Sequence, residues 1–120
     1  MTLVILARDL LFASRLAGAA GPEARVQRID SPEQLPDPAS LDLLLVDWAE
    51  REVDWGERLR HWRGGASEDR WPRIVLYGPH SDLPAHRAAK ESGLGPMLAR
   101  SAVLRRVGDL IGSNVAGRQR

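Results

Sequence analysis

Two hydrophobic periods alternate along this chain, a run of the strand type and then a stripe of the helix type. Thr2–Leu6 is a short β-branched and aliphatic run and predicts a first strand. Asp9 follows at a helix-capping position, and Leu11, Phe12, Leu16 and Ala19 recur at helical spacing until Gly21-Pro22 stops them. Arg25–Ile29, RVQRI, alternates as a half-buried or near-edge strand. Ser31-Pro32 can open a helical turn, but Pro36 and Pro38 limit any second helix to one or two turns. Leu41–Asp47 is an apolar run that ends in an acid, the pattern of a strand buried on both faces of a parallel sheet. Val53, Trp55, Leu59 and Trp62 mark the next helix, with the last three on one face. The stretch GGASEDR reads as a loop. Pro72 then opens a strand over Arg73–Tyr77, and Ser81 or Asp82 caps a helix ending near Gly93. Met97–Ala99 is a short last strand, and Ser101 is the expected cap of a last helix. Val103, Leu104, Val107, Leu110 and Ile111 form that helix's apolar stripe.

Strand and helix therefore alternate five times, which predicts a parallel sheet with helices on both faces. The expected organisation is one domain over residues 1–112, followed by a polar, flexible tail over 113–120. The 120 residues suffice for a real core, and 43% apolar with 28% charged residues describes an ordinary globular chain. A net charge of +1 gives no general pull toward nucleic acid or membrane. Arginine carries nearly all the positive charge, with Lys90 the one lysine. Without cysteine, disulfides and thiolate chemistry are excluded. The apolar run MTLVILARDLLF is too short for a membrane span and has no basic flank before it, so a cytoplasmic protein is expected.

An acid at the carboxyl end of a central strand sits where open α/β sheets place their chemistry, and here that acid is Asp47. With LVILARDLLFASRL, LDLLLVDWAE and RIVLYGPH…GLGPMLARSAVLRRVGDLI in this order, the chain resembles a response-regulator receiver domain over about residues 2–112. The resemblance implies a flavodoxin-like (βα)5 fold, a doubly wound five-stranded parallel sheet of order 2-1-3-4-5 with a short second helix. It makes Asp47 the equivalent of the family's phosphoacceptor. The family's two magnesium-binding acids after the first strand are replaced by Ala7 and Arg8. Its Ser or Thr after the fourth strand is Gly78, and its Lys followed by a cis proline is Arg100-Ser101. The receiver site is therefore degenerate, and the resemblance points to a pseudo-receiver.

Phosphoryl transfer to a carboxylate works by positioning and charge neutralisation. Magnesium needs oxygen ligands, which a methyl group and a guanidinium do not supply. Arg8 is expected to occupy the metal's place, and Arg8, Arg100 or both to pair with Asp47 and hold it ionised. Asp9 and Glu50 are the acids that could substitute as ligands, but Asp9 is better placed as a helix cap. No cofactor or metal is expected.

His80 follows Gly78-Pro79 at the same sheet end and is a loop histidine or a proton-sensitive contact. Trp48 is expected at the rim of the site, or else in the core; Trp55 and Trp62 read as core. His61 and His86 have no evident ligand partners. The chain carries no glycine-rich phosphate loop, no nucleophile elbow and no basic–aromatic nucleic-acid motif.

The leading expectation is a stand-alone, non-catalytic signalling module that works through protein–protein contacts. Its partner would be a histidine kinase or another signalling protein, and the resemblance suggests homodimerisation through the last two helices. The alternatives are an atypical response regulator phosphorylated on Asp47 and a small-molecule sensor of the same fold.

Overall fold

The computed structural model describes the backbone of residues 1–118 and the side chains of residues 1–110. Its strands are β1 (Thr2–Leu6), β2 (Arg25–Ile29), β3 (Leu43–Asp47), β4 (Arg73–Gly78) and β5 (Met97–Ala99). Its helices are α1 (Leu10–Ala20), α2 (Trp55–Arg63), α3 (Leu83–Ser92) and α4 (Arg100–Arg118). All strand pairs are parallel and the order is β2-β1-β3-β4-β5, the flavodoxin-like arrangement. β3 lies between β1 and β4 and is buried along its whole length. At its start, the Asp42 carboxylate accepts the Thr2 N–H at 2.7 Å, tying β3 to the beginning of β1.

Alternation along each strand builds two cores. Leu44, Val46 and Leu76 pack with Trp55 and Leu59 of α2 and Ala85 and Ala89 of α3. Leu43, Leu45, Val75 and Tyr77 pack on the opposite side with Phe12 and Leu16 of α1 and Val103 and Val107 of α4. Asp47 keeps the parity of Leu43 and Leu45 and so faces the α1–α4 side.

Local chemistry explains the element ends. Asp9 caps α1 by accepting the Phe12 N–H, and Asp82 caps α3 by accepting the Ala85 N–H. Gly93 ends α3 at φ +74°, a left-handed conformation that favours glycine. The expected second helix is two separate 3₁₀ turns, Pro32–Gln34 and Pro38–Ser40, because the prolines interrupt any longer helix. The fold therefore has four α-helices rather than five among the described residues.

Three expectations about the helices differ from the structure. α4 begins at Arg100, so Ser101 lies inside its first turn rather than capping it. The backbone of α4 continues as helix through Arg118, past the expected boundary at Gly112. Of the expected 113–120 tail, the backbone of 113–118 is thus helical, and the rest lies outside the described residues. Leu11 and Ala19 of α1 face solvent, and Ala13 takes their place in the core beside Phe12 and Leu16.

Candidate functional site at the end of β3

Asp47 is the last residue of β3 and has no exposed surface. Arg100 approaches it from the first turn of α4, with Nη2 3.7 Å from Asp47 Oδ2. No hydrogen bond joins Arg100 to Asp47, so this pair is held by charge. Tyr77 is paired with Asp47 across β3 and β4, is fully buried, and its hydroxyl also lacks a partner. Phe12 packs on Tyr77 with ring centroids 5.2 Å apart, and the Arg100 guanidinium lies 5.6 Å from the Phe12 ring centre.

The electrostatics reverse one expectation. A nearby cation was expected to hold Asp47 ionised, yet its pKa is pushed up to about 7. Burial is the main cause, because it penalises the carboxylate. Glu50 adds to it, by sharing a proton with Asp47 and by its negative charge. Arg100 pulls the other way, and Asp9 adds a smaller upward push. Arg100 loses this contest because its side chain is 39% exposed and makes no hydrogen bond to the acid. The Tyr77 hydroxyl is likewise pushed up, first by burial and then by the Asp47 charge.

The other expected site residues take separate roles. Ala7 is buried in the α1–α4 core. Arg8 does not pair with Asp47; it turns outward and meets Glu52 at 3.1 Å, with both side chains about half exposed. Asp9 is committed to capping α1. Trp48 does not stand at the rim: it is buried on the α2–α3 side, and its Nε1 donates to the Ala85 carbonyl at 3.0 Å. Trp55 is core, and Trp62 packs at its margin while donating to the Pro36 carbonyl. His80 is exposed in its loop, where its carbonyl meets His86 Nε2.

Gly78 has the parity of Leu76 and lies on the α2–α3 side of the sheet, opposite to Asp47. A Cβ built there would lie 2.8 Å from Met97 Sδ and 3.4 Å from Ala49 Cβ. A side chain at Gly78 would therefore point to the α2–α3 side, where Met97 packs, and would displace the flexible end of Met97. Among the described residues, no three His, Cys, Asp or Glu side chains gather where a metal could be held. The ligands a receiver uses for magnesium do not fit here: Ala7 offers a methyl group, Arg8 points away, and Asp9 is occupied by its cap.

Several residues escaped the sequence reading. Tyr77 was readable as a strand residue, and its parity with Val75 could have placed it on the Asp47 side. Met97 carries no sequence signal for its place, and Glu50, expected beside the site as an alternative ligand, acts instead on the protonation of Asp47. Leu10, Leu11, Val53 and Leu83 are large exposed apolar residues that precede or open helices at the carboxyl end of the sheet. At that end, Asp9, Phe12, Arg15, Arg100, Ser101 and Leu104 are among the residues that line an open groove of about 420 Å³ between α1 and α4.

The sequence matches no protein-family model, and no curated protein matches it. A solved structure does align: the crystal structure of a "putative pilus assembly-related protein" from Burkholderia pseudomallei. The TM-score is 0.65 at 18% identity, over 97% of this chain and 90% of that one. At this identity the likeness shows the fold, in agreement with the strand order. Among the described residues, no helix is long and apolar enough to cross a membrane.

Proposed function

We propose that this chain is a receiver-like signalling module that acts by protein contact rather than by metal-dependent phosphoryl transfer. The observation that carries this reading is the filling of the site. Asp47 is closed off from solvent, and Tyr77, which stands opposite it across the β3–β4 ladder, is buried as well, with Phe12 packed on its ring. An acceptor must meet its donor in line, and an enclosed carboxylate cannot. The same filling weighs against a small-molecule sensor at this position, since such sites are concave. In this reading the module has no catalytic turnover and uses no cofactor.

The contact surface is the carboxyl end of the sheet, where Leu10, Leu11, Val53 and Leu83 expose apolar area. Isolated exposed leucines are common, but these four share one end of the fold. The name of the structural neighbour, pilus assembly-related, is in keeping with a part that works by contact.

Affinity capture from the native cells tests this. The wild-type chain is expected to retain the same protein with and without acetyl phosphate and magnesium, and Leu11→Glu to lose it. Capture that depends on the phosphodonor, or that Leu11→Glu leaves intact, contradicts the reading.

A further inference from the structure

Arg100 is the first residue of α4, and a cation at a helix amino end opposes the helix dipole. The first turn of α4 contains no acid to offset it. The counter-charge comes from β3, through the 3.7 Å approach of Asp47. No hydrogen bond joins the two, so their attraction ends when the charge on Asp47 is lost, and the Phe12 ring is then the remaining contact of Arg100 on that side. Arg100 is also part of the wall of the α1–α4 groove, with Asp9 and the like-charged Arg15 in the same wall. Its partly exposed guanidinium can turn into that groove without being stranded in the core.

We propose that Asp47 and Arg100 form a proton-operated latch on the amino end of α4. With Asp47 ionised, Arg100 is drawn to the end of the sheet and the first turn of α4 is pinned. When a proton from solvent neutralises the carboxylate, Arg100 swings toward Asp9 and changes the charge and shape of the groove. Asp47 is faced by Glu50 from the turn after β3, Asp9 from the start of α1, Tyr77 from β4 and Arg100 from α4. The two acids favour its protonated form and Arg100 the ionised one. Tyr77 keeps its proton, since burial and the Asp47 charge both push its pKa upward. A pKa of about 7 at Asp47 sets the latch to work near neutral pH. The latch deepens the contact reading, on which it rests, by naming what regulates the contact surface.

The test is to follow the backbone amide signals of residues 100–104 by NMR in the full chain, without phosphodonor, from about pH 5.5 to 8.5. In the wild type these signals are expected to titrate with a midpoint near 7. In Asp47→Asn the titration is expected to vanish, with the signals fixed at the wild type's low-pH positions. Static wild-type signals, or a titration that survives in Asp47→Asn, overturn the latch. If Asp47→Asn does not fold, Glu50→Gln serves instead. Removing that negative neighbour is expected to lower the wild-type midpoint, and an unchanged midpoint overturns the proposal. Failure of the contact reading would appear separately, as capture that depends on acetyl phosphate.

Discussion

Asp47 and Tyr77 stand directly opposite each other in the β3–β4 ladder, both fully buried, and the Tyr77 hydroxyl has no hydrogen-bond partner among the described residues. An aromatic wall of Tyr77 and Phe12 thus closes the side of the acid where a polar site would need donors. The shared enclosure raises the pKa of both groups.

Tyr77→Phe removes a buried hydroxyl that makes no bond. An unsatisfied buried polar group costs about 1–3 kcal/mol, so the variant is expected to be as stable as the wild type or more stable by up to that amount. Urea denaturation measures this. A loss of more than about 1 kcal/mol would mean that the hydroxyl has a partner.

The raised pKa of Asp47 fixes the sign of a pH effect. Its folded value of about 7 lies above the ordinary 3.8, so the native state holds this proton more tightly than the unfolded chain does. Its contribution to stability is fully present below pH 3.8 and is lost as pH rises through about 7. The loss is on the order of a few kcal/mol. Asp47→Asn cannot titrate and is expected to lack this fall. Denaturation midpoints at about pH 5 and pH 8 for both proteins check it, and equal slopes would refute it.

Gly78→Thr places a Cβ 2.8 Å from Met97 Sδ on the α2–α3 side of the sheet. Overpacking of this kind costs about 1–3 kcal/mol. Met97→Ala in the same chain is expected to recover part of the loss. A Gly78→Thr chain as stable as the wild type would show that the space is not filled.

Arg8→Ala is expected to change stability by less than about 1 kcal/mol, since the Arg8–Glu52 pair is exposed on both sides. This differs from the buried pair with Asp47 that the sequence suggested, whose disruption would cost about 3–5 kcal/mol. Urea midpoints separate the two.

The parallel sheet was legible because runs such as Leu43–Asp47 are buried on both faces only within a covered sheet, whereas the strand order came from the receiver resemblance. Prolines at 32, 36 and 38 announced the short second helix, and Asp9 and Gly93 announced helix ends. The site was less legible, because residue type does not give direction. Arg8 follows β1 as expected but turns to Glu52, and Trp48 follows Asp47 but, one residue on, faces the opposite side of the sheet. The sign of the Asp47 shift depends on a balance between burial and a half-exposed cation, which no local pattern encodes. Ser101 read as a cap because serine favours that position, whereas the helix starts one residue earlier.

Mass spectrometry of the chain after incubation with acetyl phosphate and magnesium tests the central claim most directly, with Asp47→Asn as control. The expected result is no added phosphoryl group on a folded protein, in agreement with an enclosed Asp47 beside the buried Tyr77. A phosphoryl mass on the wild type that disappears in Asp47→Asn would contradict it, and would make the buried acid an acceptor reached through motion at the end of β3.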